Sequence, residues 1–341
     1  MRRELICINP TSPARLAVRS VEKPQPGHGE VLVCVQATSV NPIDVKRAAG
    51  YGQRLLRLKG AAHFPLVLGN DVVGVVEALG SGVKRFAPGQ RVYGLVGTGR
   101  AGGAHASHVV VPQDGLLSAP DDADPSALSV LPYSFTTAWL ALRSTGIRAD
   151  NARDARVLIH GANGGLGRLA TQVLQSWGSR ITAICAKGHR QTCLDLGAEV
   201  AVEYGPNCIA TLPADFDVVL NFANWDDDAL LASRLGAKAL GQATTVHPLL
   251  ANFDRLGWLG GAWASRQDKR RVRTIVVSRA PKARYGWTIF KPDREALEAL
   301  AQRVNGGRLA LPIGAIKPLT QARAAFDHVS AGLPGRAVLL P

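Results

Sequence analysis

The sequence predicts an α/β protein of two domains, one barrel-like and β-rich, the other built on a doubly wound parallel sheet. Three observations predict it. A chain of 341 residues with 46% hydrophobic content is too long for one small core. Short β-branched runs parted by Gly and Pro clusters fill the first third. Beyond residue 125 the texture changes to a regular alternation of strand and helix, and parallel strands need such crossovers.

The first-third strands are VLVCVQATSV (31–40), VVGVVEALG (72–80), RVYGLVG (91–97) and HASHVVV (105–111). Turn-forming clusters lie between them at 24–30, 87–90 and 97–103. The segment 124–146 has helical period, with Asp124 or Ser126 as its cap. Strands at 155–161, 180–186, 199–204, 215–223 and 238–247 then alternate with helices at 165–178, 190–198 and 227–236. Residues 249–285 break the rhythm and set aromatics beside a basic cluster of Arg266, Lys269, Arg270, Arg271 and Arg273. Within and after it, TIVVS (274–278) and YGWTIF (285–290) read as strands. A helix at 293–307, the run 311–319, a helix at 321–332 and a strand at 336–341 close the chain.

Composition narrows the function classes. Five cysteines, an odd number with no CxxC pair, argue against a disulfide framework and for a reducing compartment. No apolar run reaches membrane-span length and no secretory h-region opens the chain, so a soluble, cytoplasmic protein is expected. The net charge of +14 invites a nucleic-acid partner. No helix-turn-helix, zinc-finger or RNA-binding signature accompanies it, and an anionic cofactor would answer the same field.

The strongest local motif runs from Gly161 through Ala162, Asn163, Gly164, Gly165 and Leu166 to Gly167. It follows a strand and opens a helix, the context of a dinucleotide-binding turn. Glycine lets the backbone turn tightly and approach a pyrophosphate, and the helix N-terminus offers free amides and partial positive charge. The next strand ends at Ala186, where an NAD enzyme carries the carboxylate that binds the ribose 2′-hydroxyl. No carboxylate stands there; Lys187, His189 and Arg190 follow instead. Those cations suit a 2′-phosphate, hence NADPH, or else form a solvated basic loop.

At this point the residues carry a family likeness over nearly the whole chain. The segment Asn41-Pro42-Ile43-Asp44-Val45-Lys46 resembles the NPxDxK segment of the medium-chain dehydrogenase/reductase superfamily. Residues 64–76 are similar to its FPxxxGxDxxGxV turn, 88–92 to PGDRV with Gln90 for Asp, 131–139 to LPxxxxTAW, and 335–339 to GKxVL. Within that superfamily the chain is most similar to the zinc-free quinone oxidoreductases, and among them to the reticulon-interacting, NADPH-dependent enzymes. Residues 247–257 and 285–290 carry that likeness. The resemblance implies a GroES-like catalytic domain (1–125 with 291–341) and a Rossmann domain (126–290). It implies hydride transfer from NADPH to a small-molecule acceptor, a quinone or enone, and a homodimer. Rival readings are an enoyl-thioester reductase acting on an acyl carrier, a catalytically silent NADPH-binding scaffold, and a nucleic-acid binder.

Zinc dehydrogenases of the superfamily carry Gly-His-Glu where this chain has Gly69-Asn70-Asp71. A catalytic zinc needs three converging ligands, and Cys34 sits in a strand with no evident matching histidine. No metal is therefore expected, and an acceptor that spreads charge by conjugation is favoured.

The resemblance places four residues at the cleft between the domains. Asn41 hydrogen-bonds the acceptor oxygen or caps a loop beside Pro42. Asp44 orients Lys46 or Tyr51, or caps a helix. Lys46 stabilises a developing oxyanion or is simply solvated. Tyr51 donates a proton or packs against its glycines. On the cofactor side it implies Thr137, Asn163, Gly164, Gly165, Leu166, Ala186, Lys187, Arg190, Tyr204, Phe222, Val246, His247 and Phe290. Tyr204 serves the adenine side, Phe290 covers the nicotinamide, and His247 either meets the cofactor or bonds backbone at a strand end. Ala186 replaces a serine of close relatives, and Gly332-Leu333-Pro334 replaces an HAR segment, so cofactor contacts there are in doubt. The basic aromatic stretch 258–273 reads as a solvated insertion or dimer edge, ahead of a contact with an anionic membrane surface.

Overall fold

The computed structural model describes residues 1–97, 102–307 and 309–341; the glycine turn expected at 97–103 lies largely outside them. Strands β1 (Arg2–Cys7) and β2 (Leu16–Val21) precede the long β3 (Glu30–Val40). Short helices α1 (Pro42–Ala48) and α2 (Gln53–Arg57) lead to β4 (Leu66–Val67), β5 (Asp71–Leu79), β6 (Arg91–Leu95), β7 (His108–Pro112) and β8 (Leu116–Ser118). Helices α3 (Pro125–Ser129) and α4 (Pro132–Thr145) follow. The alternating stretch is β9 (Arg156–His160), α5 (Gly165–Ser176), β10 (Arg180–Cys185), α6 (Arg190–Asp195), β11 (Val200–Glu203), β12 (Val218–Asn221), α7 (Asp228–Ala232) and β13 (Gly241–Thr244). Then come α8 (Leu249–Arg279), β14 (Arg284–Trp287), α9 (Arg294–Asn305), β15 (Ile313–Pro318), α10 (Ala322–Ser330) and β16 (Arg336–Leu340).

These elements form two compact units. The first comprises Met1–Tyr133, Phe253–Gly257 and Lys291–Pro341, the second Ser134–Asn252 and Trp258–Phe290. The division falls at Tyr133/Ser134 rather than at 125/126, and a short piece of α8 joins the first unit.

In the first unit β3 is the hub. It pairs with β5, β7 and β16, all antiparallel. Val31, Val33 and Val35 alternate into a core with Val72, Val76, Val92, Val109 and Val111, while Cys34 between them is only partly buried. The strand was legible in the sequence as a β-branched run, and the structure adds that its valines take the core-facing positions. The β16–β3 ladder (Ala337↔Val40, Leu339↔Thr38) brings the end of the chain back to its first third. A second cluster around Leu5, Val40, Leu319, Phe326 and Leu339 seals that return. Each fully buried Val or Leu contributes roughly 1.5–3 kcal/mol of transfer free energy.

The second unit holds one six-stranded sheet in the order β11-β10-β9-β12-β13-β14, every pairing parallel. Its inner strands β9, β10 and β12 are largely buried apolar runs, as a sheet covered on both faces demands. Chain order reverses between β9 and β12, and ligands of such sheets bind outside the strand ends at that switch.

One expectation fails. Residues 274–278 are not a strand but the last turns of the long helix α8. Beyond the Gly257 kink its buried residues are Gly261, Ser265, Val272 and Val276, at helical spacings of four and seven, and the β-branched run masked that period. Tertiary burial of one face overrides local β preference. Gly257 has φ 73° and ψ −166°, a kink that only glycine tolerates. If 274–278 is helix, Thr274→Pro loses about 3 kcal/mol or more in urea unfolding while Thr274→Ala is nearly neutral. An unchanged midpoint for the proline variant contradicts the helix, since an edge strand accepts proline.

Candidate functional site

The glycine loop lies at the switch point. Strand β9 ends on His160, and Gly161 follows with φ +83°. A Cβ on Gly161 would lie 3.1 Å from the Ala223 Cβ, just past β12. On Gly167 it would stand 2.3 Å from the Gly161 carbonyl oxygen and 2.5 Å from the Ala162 Cα. Helix α5 therefore rests directly on the loop, with room for no side chain. The first helical bond of α5 runs from the Arg168 amide to the Gly164 oxygen. The amides of Gly165, Leu166 and Gly167 precede that ladder and crown the helix N-terminus, where an anion binds. Asn163 locks the loop from two sides. Its carbonyl accepts from Arg168 Nε at 2.8 Å, and its side-chain oxygen accepts from the Ala186 amide at 3.0 Å.

The adjoining loop holds Lys187 and Arg190, both exposed. Arg190 Nε donates to the Ala201 carbonyl at 3.0 Å, which fixes the root of the guanidinium. The expectation that no carboxylate stands at this loop is corrected. Glu203, from the neighbouring β11, accepts the Gly188 amide at 2.8 Å. Parallel pairing delivers it to the end of the next strand, a placement hidden in a reading along the chain.

The residue after Glu203, Tyr204, stacks on His160 at 5.2 Å between centroids and 27° between planes. Asp227 lies 3.7 Å from His160 Nε2 and hydrogen-bonds the Tyr204 phenol, which raises that phenol's pKa. Burial holds the imidazole of His160 below its ordinary value, so it is neutral at pH 7. Neither His160 nor Asp227 was singled out from sequence. The usable signal was a histidine directly before the first glycine of the loop.

At the ends of β12 and β13 the Phe222 amide donates to the His160 carbonyl at 2.9 Å, and the Val246 amide to Thr244 Oγ1 at 3.3 Å. Beneath them runs a polar chain: Trp287 Nε1 to the Tyr285 hydroxyl (2.9 Å), that hydroxyl to Asp228 (2.6 Å), and Asn221 Nδ2 to the other Asp228 oxygen (2.9 Å). His247 is 9% exposed; its Nε2 bonds the Thr288 carbonyl at 3.2 Å and its ring stacks on Trp287 at 4.7 Å. Phe290 is half-buried beyond β14, and Thr137 is buried within α4.

The first unit gathers the other expected residues differently from expectation. Asn41 is buried and engaged on both sides of its amide. Its Nδ2 donates to Ser39 Oγ (2.9 Å) and Asp71 Oδ2 (2.7 Å), and its Oδ1 accepts from Arg336 (2.6 Å). Asp44 does not orient Lys46 or Tyr51. Its carboxylate accepts the Asn41 amide at 2.8 Å and the Gly69 amide at 3.1 Å, so it is a structural brace of α1. Lys46 is exposed, its Nζ 5.6 Å from the centroid of the Tyr51 ring. Asp254 lies in the run 247–257 that carries the family likeness, with no site role foreseen for it. It accepts the Gly52 amide at 2.5 Å and the Arg54 amide at 3.0 Å, and so shapes the Tyr51 loop from 200 residues away. Asp71 takes bonds from Ser39, Asn41 and the Tyr133 amide, yet full burial pushes its carboxyl up to about 6. A further correction concerns Cys34, which does have a histidine opposite: His108, its partner across β3 and β7.

A GroES-like unit and a six-stranded doubly wound sheet with this glycine loop define a medium-chain dehydrogenase/reductase. The alcohol dehydrogenase GroES-like domain family matches residues 27–121. The chain is 31% identical over 320 residues to the mitochondrial NAD(P)H oxidoreductase RTN4IP1 of Danio rerio, covering 89% of this chain and 81% of that protein. Among solved structures it is similar to the quinone oxidoreductase from Coxiella burnetii (TM-score 0.80, 22% identity, 100% and 99% of the two chains). It is similar also to the CurK enoyl reductase (TM-score 0.78, 23% identity, 99% of each). The chain belongs to the RTN4IP1 family of NAD(P)H oxidoreductases within that superfamily. The expectation of a cytoplasmic protein is overturned by these relatives, since the Danio rerio and Homo sapiens proteins are mitochondrial. Among the described residues no helix is long and apolar enough to cross a membrane.

Two outcomes test the site as built. Gly167→Ala forces a methyl against backbone, so it costs about 1–3 kcal/mol of stability and weakens nucleotide binding, read by thermal melting and fluorescence titration. Unchanged binding would mean that the loop carries no pyrophosphate. The second outcome is a pH dependence. Burial pushes the His247 imidazole down to about 4, against about 6.5 unfolded. The unfolded chain binds the extra proton first, so this contribution is complete above pH 6.5 and disappears as pH falls toward 4. The stability gap between wild type and His247→Asn narrows by about 3 kcal/mol over that window in urea titrations. A constant gap shows that His247 is not buried as a neutral ring.

Proposed function

We propose that the chain is a zinc-independent, NADPH-dependent reductase that passes a hydride to a quinone or another conjugated carbonyl compound, acting as a homodimer. The observation that carries this reading is the glycine loop at the β9/β12 switch, with Lys187 and Arg190 on the adjoining loop. Gly161 and Gly167 let the loop pack directly against the end of β12 and under helix α5, where any Cβ would intrude, and so keep the turn tight beneath the α5 amides that would meet a pyrophosphate. The bound nicotinamide supplies the hydride.

This chain's residues have separable tasks. The α5 amides hold phosphate oxygens, Lys187 and Arg190 pair with a 2′-phosphate, and the Tyr204 face packs the adenine side. Glu203 opposes the 2′-phosphate, and its bond to Gly188 is what draws its charge toward backbone. Val246, His247, Phe222, Thr137 and Phe290 shape the nicotinamide side. Lys46 steadies the oxyanion that develops on the acceptor. Tyr51 serves as proton donor, for burial and Asp254 raise its phenol pKa and keep the proton in place at neutral pH. Asn41 and Asp44 hold α1 in position. Zinc independence rests on Asn70 and Asp71, which are committed elsewhere. Asn70 Nδ2 donates to the Val96 carbonyl at 3.1 Å, and Asp71 is enclosed by its donors. A conjugated acceptor delocalises the arriving charge without a Lewis acid.

The test follows NADPH oxidation with a panel of quinones, enones and enoyl thioesters, with NADH in parallel. Turnover of a quinone or enone is expected with NADPH well above NADH. Replacing Lys187 and Arg190 together by Ala is expected to raise the KM for NADPH about 10–100-fold and leave NADH unchanged, the loss of one or two charge-assisted bonds. Turnover of enoyl thioesters alone transfers the chain to acyl-carrier reduction. Tight NADPH binding with no turnover on any acceptor makes it a scaffold.

A further inference from the structure

The geometry points to a zinc-binding site on the outer face of the GroES-like sheet, formed by Cys34, Glu77 and His108. It is independent of the reductase reading and of the Asn70–Asp71 position where zinc dehydrogenases hold their metal. Its three ligand atoms lie within 4.8 Å of one another, the only such convergence of His, Cys, Asp or Glu groups among the described residues.

Three strands build it. Cys34 on β3 is the direct partner of His108 on β7 and of Val75 on β5. Val33 and Val35 point into the core, so Cys34 points outward between them. Leu32 faces Ala78 while Val33 faces Val76, which makes Glu77 the extra residue of a β-bulge. A bulge re-aims a side chain, and here it carries the carboxylate to the face shared by Cys34 and His108. Glu77 Oε2 stands 2.9 Å from His108 Nε2. The side chains are 35% and 10% exposed, so an ion reaches the site from solvent and a fourth position stays open to water.

The surroundings suit an ion. His108 Nδ1 lies 2.9 Å from Ser107 Oγ, which also accepts the Arg3 amide at 2.9 Å. Without metal, Nε2 carries the imidazole proton and shares it with Glu77. With metal, that proton moves to Nδ1 and is donated to Ser107, freeing the Nε2 lone pair; a partner on the second nitrogen is what orients metal-bound histidines. Cys34 releases its thiol proton to solvent and binds as thiolate. Thiolate and carboxylate then balance a divalent ion. Lys23 keeps its 2.7 Å bond to the other Glu77 oxygen and remains in the outer shell. A sulfur, nitrogen and oxygen set selects a borderline cation such as zinc over magnesium or calcium, which take oxygen sets. Tetrahedral zinc needs its ligand atoms roughly 3.5 Å apart, within reach of side-chain rotation from the present spacing. Bound, the ion would clamp β5 and β7 to the hub strand.

Cobalt(II) reports on this site in the full-length protein, stripped with chelator and desalted. Titration is expected to raise a near-ultraviolet thiolate-to-cobalt band that saturates at one equivalent per chain and is erased by zinc. Cys34→Ser abolishes the band, Cys208→Ser retains it, and His108→Gln weakens cobalt binding at least tenfold. No thiolate band on the wild-type protein overturns the proposal, and that reading needs no variant to fold. A band that survives in folded Cys34→Ser, checked by circular dichroism, overturns it as well.

Discussion

The first unit depends on one buried carboxylate. Asp71 opens β5 and receives Ser39 and Asn41 from the end of β3 and the start of α1, and the Tyr133 amide from the head of α4. Through Asn41 it reaches Arg336, the half-buried first residue of β16. Segments separated by hundreds of residues thus meet at a single charge. Such a network is expensive to desolvate, which is why the Asp71 carboxyl is pushed up to about 6 despite its donors. Its worth lies in what happens when it is broken. Removing one partner leaves the others buried and unpaired, a loss of about 3–5 kcal/mol. The network also accounts for Asn41 being a poor candidate to greet an acceptor: its donors and acceptor are already committed to holding the unit closed.

How much of this was legible follows from sequence distance. The glycine loop was readable because its strand, turn and helix are contiguous, and each glycine answers a local demand of backbone approach. The β-branched run 31–40 was readable as a strand for the same reason. Glu203, Asp254 and His108 were not. Each acts on a site built from another part of the chain, and only strand pairing or a long return brings it there. The error at 274–278 has a different cause. A window of five β-branched and small residues reports intrinsic preference, whereas the spacing of Val272 and Val276 reports the buried face, and the buried face decides.

Electrostatics at the nucleotide loop are more balanced than the net charge of +14 suggests. Lys187 and Arg190 supply two cations and Glu203 one anion within the same few residues. An uncharged 2′-hydroxyl gains little from the cations, while a 2′-phosphate gains from both and is opposed by the carboxylate. On the proposed reading, any preference for NADPH over NADH would be a difference between nearby opposing terms. It would be set less by the count of basic residues than by how firmly the Gly188 amide holds Glu203.

Strand β3 answers two demands with its two faces. Inward, the valines need close packing, and at its end Ser39 joins the Asp71 network. Outward, Cys34 sits where two neighbouring strands present a histidine and a bulged glutamate. A bulge costs ladder hydrogen bonds, and a partly exposed thiol is open to oxidation, so packing alone favours neither. An ion shared by the three strands would recover the lost ladder stability and protect the sulfur as bound thiolate. The meeting of the bulge on β5 with the thiol on its partner β3, the strand that pairs with β5, β7 and β16, is the physical argument for reading them together.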